Sequence, residues 1–121
     1  MSKEDNLYKA FGDLLYAIAL SDGAIHEVEV ETLQLRLKHY PNAQKILAVF
    51  CDNREKEVSG SVVYQKAIAL CKDFGPSPKY SFLLELMIAV ADAYMGIVPQ
   101  EKKILTDFIA DMRSAFANHQ K

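Results

Sequence analysis

The chain has 121 residues, of which 50% are apolar and 25% are charged, and its net charge is −2 with a pI near 5.9. This length fits a single domain over residues 1–121, and the composition is typical of a folded protein rather than a disordered one. Because the basic residues are scattered along an acidic chain, we expect no binding of nucleic acid.

Apolar residues recur at helical spacing, and the first half of the chain predicts three helices. The first covers residues 6–20 and ends before Gly23, which can take the left-handed conformation that terminates a helix. The second covers about 27–39 and begins with acidic residues, which favour a helix amino terminus. The third, which Asn42 can cap, ends near residue 51. The polar residues 52–57 then predict a connection.

Three more helices are predicted in the second half. The fourth begins at Ser59 or Ser61 and ends near residue 73, before the Gly-Pro-Ser-Pro sequence of residues 75–78, which is a strong helix breaker. The fifth covers about 78–93, and the sixth begins near Pro99 and ends near residue 116. The β-branched clusters are too short for a sheet. We therefore predict an all-α domain of about six to seven helices.

The two ends of the chain share one pattern. Residues 14–37 align without a gap over residues 86–109 at a shift of 72 positions, and the match continues through the loop between the helices. The matched pairs include Leu14 and Leu86, Ile25 and Ile97, Glu29 and Glu101, and Leu33 and Leu105. We predict two αα repeats, about residues 7–38 and 79–110, each with a buried isoleucine in its loop. A pseudo-twofold axis would relate them.

The two repeat loops carry a recognisable motif. Residues 19–29 read Ala-Leu-Ser-Asp-Gly-Ala-Ile-His-Glu-Val-Glu. The pattern Ala-x-x-Asp-Gly-x-Ile, followed four residues later by Glu29, resembles the signature of the TerB-like tellurite-resistance family, which includes a domain of a DnaJ-like membrane co-chaperone. Residues 91–101 are similar to the family's second loop and retain its Ile-x-Pro-x-Glu ending. The resemblance spans about residues 7–115 and implies a non-enzymatic protein-interaction module in tellurite or stress response.

The second loop departs from the motif of the first. Tyr94 and Met95 stand where the first loop has Asp22 and Gly23. Asp92 lies two positions earlier, about 200° around a helix axis, and so does not replace the missing aspartate. An acidic site is therefore expected mainly in the first half. The apolar pair at the tip of the second loop predicts a contact surface for a protein partner.

The resemblance also implies a divalent cation bound by the acidic loops. Its ligands would be Asp22 and Glu29, with His26 or Glu27 as further candidates, and the pseudo-twofold axis would bring Glu101 alongside. The residues allow a structural alternative, in which Asp22 accepts loop amide hydrogen bonds and Glu29 complements the positive end of the next helix. A calcium site needs about six to eight oxygen ligands, so the structural alternative is favoured. We expect no other cofactor.

Other site types lack support in the sequence. There is no nucleophile elbow, phosphate loop or dinucleotide fingerprint, so we predict that the chain is not an enzyme. His26, His39 and His119 lack zinc-ligand spacing and are expected to face solvent. Cys51 and Cys71 each follow an apolar helical run and are expected in the core.

The sequence also predicts where the chain resides. Its start is polar, unlike a secretory signal. Charges interrupt every apolar segment before it reaches the roughly 18 residues of a membrane span. We therefore expect a cytoplasmic protein without a membrane span. The identity of the partner and the oligomeric state stay open.

Overall fold

The computed structural model describes residues 2–117, which form six α-helices and contain no strand. The helices are α1 (Lys3–Leu20), α2 (Glu27–Leu37), α3 (Ala43–Lys56), α4 (Gly60–Phe74), α5 (Lys79–Asp92) and α6 (Pro99–Phe116). The all-α prediction is confirmed. Among these residues no helix combines the length and the apolar character needed to cross a bilayer.

Helix α1 is the centre of the domain. It contacts α3, α4, α5 and α6, and every residue from Leu7 to Ala19 except Lys9 is buried. A helix that is apolar on nearly all sides is stable only when other helices surround it. The remaining helices therefore pack around α1, while α2 lies at the periphery against α5.

The contact between α1 and α3 is unusually close. A Cβ atom at Gly12 would lie 2.7 Å from the carbonyl oxygen of Ile46, so this crossing requires glycine. Farther along, the buried Asp13 carboxylate accepts hydrogen bonds from Asn53 Nδ2 at 2.8 Å and Lys9 Nζ at 3.1 Å. Both oxygens of this buried charge are thus satisfied, as burial requires.

The bond to Asn53 explains a wrong prediction. Residues 52–57 were expected to form a connection, but α3 continues to Lys56 and ends only where Glu57 takes φ +53°. Because Asn53 is buried against α1, this polar stretch belongs to the core packing and stays helical. Cys51, on the same helix, is exposed rather than buried, whereas Cys71 is buried as expected.

Two helix ends also differ from the predictions. Asn42 precedes α3 with φ +68° and its side chain makes no capping hydrogen bond. Helix α1 begins earlier than expected because the Ser2 hydroxyl accepts the amide of Asp5 at 3.1 Å and caps the first turn.

The two ends of the chain have matching local structure. Leu20 and Asp92, which end α1 and α5, are 72 positions apart, as are Glu27 and Pro99, which begin α2 and α6. Helix α2 packs on α5, and α6 packs on α1. A pseudo-twofold axis would exchange these two contacts, but that relation stays a prediction. The prediction of a buried isoleucine in each loop is wrong for the second loop, because Ile97 is 42% exposed. In the first loop, Ile25 is partly buried against the core.

Candidate functional site

The first loop, residues 21–26 (loop A), is a turn held by its own polar groups. The Ser21 hydroxyl donates to the carbonyl of Ile18 at 2.8 Å. Gly23 takes φ +104°, and its amide donates to the carbonyl of Leu20 at 2.8 Å. Asp22 Oδ1 accepts the amide of Ala24 at 3.2 Å. The predicted structural roles of Asp22 and Gly23 are therefore confirmed.

Glu29 fixes the exit of loop A and is fully buried. It is the third residue of α2, and its Oε1 accepts the amide of His26, the residue before the helix, at 2.8 Å. Its other oxygen, Oε2, is buried and has no hydrogen-bond partner among the described residues. Burial raises the pKa of Glu29 to about 7, and the negative charges of Asp22 and Glu101 act in the same direction.

Glu101 occupies the same place after the second loop, residues 93–98 (loop B). Its Oε1 accepts the amide of Val98 at 2.9 Å, and the residue is only 1% exposed. Burial raises the pKa of Glu101, and the charges of Asp22 and Asp92 raise it further. Helices α2 and α6, which follow loops A and B, therefore each have in their first turn a buried carboxyl group whose ionised form is disfavoured.

The two loops meet through an aromatic pair. The His26 ring stacks on the Tyr94 ring with centroids 3.5 Å apart and planes 12° from parallel. His26 Nε2 also lies 3.5 Å from Asp22 Oδ2. His26 is therefore half-buried, so its prediction as solvent-facing is wrong. His39 is exposed as expected, and His119 lies outside the described residues. We refer to loops A and B together as the paired loops.

Met95 is the most exposed apolar residue of the paired loops. Its side chain is 87% exposed, and its backbone has φ +57°, in the left-handed region. A side chain at such a position costs about 1–2 kcal/mol relative to a right-handed conformation. At the shift of 72 positions its counterpart is Gly23, the residue type that adopts this region without that cost. The fold therefore gives no reason for a methionine here.

The candidate metal ligands lie near one another at the paired loops. The charge of Asp22 acts on both Glu29 and Glu101. Within residues 2–117, however, no group of three or more His, Cys, Asp and Glu side chains has an arrangement that could hold a metal ion. The unpartnered Oε2 of Glu29 is the one feature that favours a cation. The metal site stays a prediction.

The sequence did not predict the stacking of His26 on Tyr94 or the burial of Glu29 and Glu101. The repeat alignment matches His26 with Val98 and Tyr94 with Asp22, so it contains no signal for a contact between the two aromatic rings. The glutamates were recognised by position, but an acidic residue in a first helical turn is usually exposed.

No protein-family model, curated protein or solved structure matches the chain. The resemblance to the TerB-like family therefore depends on the loop motifs and the repeat alone. Since the paired loops bring those motifs to one end of the domain, they are the candidate functional site.

Proposed function

We propose that the chain is a non-enzymatic, TerB-like interaction module that binds a protein partner through the paired loops. The observation that carries this proposal is Met95, an almost fully exposed apolar side chain held in a left-handed conformation. Such strain is found at functional sites, where a side chain is retained for its contacts rather than for the backbone.

The surroundings of Met95 support a contact surface. Tyr94 is 39% exposed and Ile97 is 42% exposed, so the tip of loop B presents three neighbouring apolar side chains. The stack of Tyr94 on His26 fixes this tip against loop A. A surface that is ordered before binding loses less conformational entropy when a partner docks.

Charge indicates the chemistry of the partner. Asp22 lies in loop A, Asp92 directly precedes loop B, and Glu27 begins the helix after loop A. Arg54 offsets part of this charge through its ion pair with Glu27 at 3.0 Å. We therefore propose a partner segment in which basic residues flank an apolar one, because opposite charges across an interface favour docking.

The resemblance to the TerB-like family and the two free cysteines support a proposal for the cellular process and compartment of this interaction. We place the module in a tellurite or stress response in the cytoplasm, and we assign it no role with nucleic acid. Cys51 is an exposed free thiol and Cys71 a buried one, which suits a reducing compartment.

Site-specific photo-crosslinking in cells tests the proposal. A photoreactive residue at position 95 should form a discrete adduct with one protein, which mass spectrometry then identifies. The matched control is position 35, because Leu35 is also an exposed apolar side chain, at 72%, but lies outside the paired loops. The purified partner should bind Met95→Asn at least about ten-fold more weakly than Leu35→Asn. Equal adducts at the two positions, or equal affinities, would contradict the proposal.

A second candidate function is binding of a divalent cation by Asp22, Glu29 and Glu101. The unpartnered, buried Oε2 of Glu29 favours it, because a cation would supply the missing partner and stabilise the ionised form. Calcium, magnesium, manganese and zinc are titrated separately, with amide shifts of residues 21–29 as the readout. Saturable shifts that Glu29→Gln abolishes would support this function. No shift at millimolar ion would exclude it.

A further inference from the structure

Three methionines lie within the described residues, and the fold places them in very different surroundings. Met87 of α5 is fully buried and Met112 of α6 is 8% exposed, so both side chains belong to the core. Met95 is 87% exposed at the tip of loop B. A reagent in solution therefore reaches the side chain of Met95 in the folded protein, whereas it reaches the other two only when the core opens.

Methionine differs from the other aliphatic residues in having an oxidisable thioether. A two-electron oxidant such as hydrogen peroxide converts the thioether into a sulfoxide. The sulfur lone pair attacks one peroxide oxygen, so that an S–O bond forms and the O–O bond breaks. The proton of the transferred hydroxyl group passes to the departing hydroxide, which leaves as water. Sulfur thus loses two electrons, the peroxide gains them, and no other reactant is needed.

Oxidation of Met95 should change the surface of the domain without changing its fold. Because the side chain is 87% exposed, a sulfoxide oxygen at this position is hydrated and has no packed core to disturb. At Met87 the same oxygen would lie in the core without a hydrogen-bond partner, which costs stability. Met95 is therefore the methionine at which oxidation is both accessible and compatible with the folded state.

The position of Met95 connects this chemistry to the proposed contact surface. Tyr94 and Ile97, the other apolar side chains at the tip of loop B, are 39% and 42% exposed, so Met95 is the most exposed of the three. A sulfoxide replaces its apolar end with a strong hydrogen-bond acceptor. An apolar partner residue that docked on this end would bury the acceptor without a donor, and an unsatisfied buried acceptor weakens binding.

We propose that Met95 is a reversible oxidation site that controls docking at the paired loops. The modifying reagent is a two-electron oxidant of the peroxide class, and the product is methionine sulfoxide. Methionine sulfoxide reductases reverse the change with a dithiol, which becomes a disulfide while the sulfoxide oxygen leaves as water. Control of docking rests on the proposed function, because it requires that Met95 contacts a partner. Selective oxidation of Met95 does not.

Peroxide treatment of the purified full chain tests the selectivity without any partner. Peptide mass spectrometry follows the sulfoxide at each methionine over time. Met95 should be oxidised at least about ten-fold faster than Met87 or Met112, and the melting temperature should stay within about 1 °C of its starting value. The control is the same chain unfolded in urea, in which all three should react at similar rates. Similar rates in the folded chain would overturn the proposal and leave the proposed contact surface untouched.

The protein identified by the photo-crosslink at position 95 is the probe for docking. Its affinity is measured before and after peroxide treatment of each variant, and the ratio is the readout. The wild type should bind at least about ten-fold more weakly after oxidation, and methionine sulfoxide reductases with dithiothreitol should restore binding. Met95→Leu lacks the sulfur, so peroxide should leave its own affinity unchanged. Cys51→Ser, which removes an exposed thiol, should keep the full loss.

The remaining outcomes distinguish control by oxidation from docking itself. If Met95→Asn weakens docking and the sulfoxide does not, the contact surface stands and its control by oxidation is overturned. If Met95→Asn binds as well as the wild type, the proposed function fails and the control fails with it. A peroxide effect that persists in Met95→Leu, or that dithiothreitol alone reverses, would assign the sensitivity to another residue and overturn the proposal.

Discussion

Loops A and B begin and end with the same hydrogen bonds from backbone amides, and they differ between these points. Ser21 and Ala93 end their helices with amides that donate to carbonyls three residues earlier, each at 3.3 Å. Glu29 and Glu101 then accept the amide of the residue before the next helix, at 2.8 and 2.9 Å. Between these shared points, loop A has Asp22 and Gly23 where loop B has Tyr94 and Met95.

This difference separates what the fold requires from what it tolerates. In loop A the side chains of Ser21 and Asp22 make hydrogen bonds to the backbone of the turn, and Gly23 provides its positive φ. Within the described residues, side chains 93–97 make no hydrogen bond, and Tyr94 instead stacks against His26. Loop A is thus held by its own polar groups, and loop B has the exposed apolar side chains of the contact surface that we propose.

The largest predicted effect is a pH dependence of the free energy of unfolding, and it arises at Glu29, in the first turn of the helix that follows loop A. Burial raises its pKa from 4.5 to about 7. Between these values the folded protein retains a proton that the unfolded chain has lost, so stability falls as pH rises through this window. The loss should be on the order of 2–3 kcal/mol. Glu29→Gln keeps an acceptor for the His26 amide and cannot ionise, so it should remove most of this loss.

Urea unfolding at pH 5 and pH 8 measures this effect, with the difference between variant and wild type as the readout. The matched control is Glu101→Gln, because burial also raises the pKa of Glu101. Each single variant should keep part of the pH dependence and the double variant should lose it. If a divalent cation binds at Glu29, saturating cation should abolish the loss in the wild type. A Glu29→Gln profile parallel to that of the wild type would contradict the burial argument.

The second prediction concerns the aligned positions 23 and 95, which both have a positive φ, +104° and +57°. Gly23→Ala has free space, since no atom lies within 4 Å of the added Cβ, but its φ of +104° is unfavourable for any side chain. The free energy of unfolding should fall by about 1–2 kcal/mol. Met95→Gly relieves the same strain and should raise it by about 0.5–1 kcal/mol.

Thermal or urea unfolding measures whether each variant has a lower or a higher free energy of unfolding than the wild type. The functional proposal adds that Met95→Gly, although more stable, binds the partner of the paired loops more weakly. A loss of stability in Met95→Gly would show that the methionine contributes to the fold, and that the comparison with Gly23 does not explain it.

The third prediction concerns the contact that joins the loops. His26→Ala and Tyr94→Ala should each destabilise the domain, and the double variant should lose less than the sum. The interaction energy from this double-mutant cycle should be about 0.5–1.5 kcal/mol, as for other stacked rings. Tyr40→Ala paired with His26→Ala is the control, because Tyr40 stacks on Phe82 elsewhere and should give additive losses. Additivity of His26 and Tyr94 would mean that the loops are independent.

The sequence was sufficient for the helices because each has a long apolar stripe of helical period. It failed at residues 52–57, where all side chains are polar and the stabilising contact is a hydrogen bond between Asn53 and Asp13, 40 positions apart. No local pattern encodes such a pairing. A periodicity argument therefore identifies helices well and locates their ends poorly when the ends are held by buried polar groups.

The candidate site was predictable only in part for the same reason. The repeat and the loop motif identify residues by their positions in the sequence. They were therefore sufficient to find Asp22, Glu29 and Glu101. Their burial, the unpartnered oxygen of Glu29 and the stack of His26 on Tyr94 arise when two distant loops meet. Those features depend on tertiary packing, which raises pKa values through desolvation and cannot be inferred from spacing.

The smallest predicted effect tests whether the two halves share one electrostatic environment. Asp22→Asn keeps the acceptor for the Ala24 amide and removes the charge that raises the pKa of both Glu29 and Glu101. Stability should change by less than about 0.5 kcal/mol, while both glutamate pKa values fall in an NMR titration of the side-chain carboxyl carbons. Asp92→Asn is the matched control, because the charge of Asp92 acts on Glu101 and should leave Glu29 unchanged. A response of Glu29 alone to Asp22→Asn would mean that loop A is a separate acidic turn, and the paired loops would then share a surface but not a charge environment.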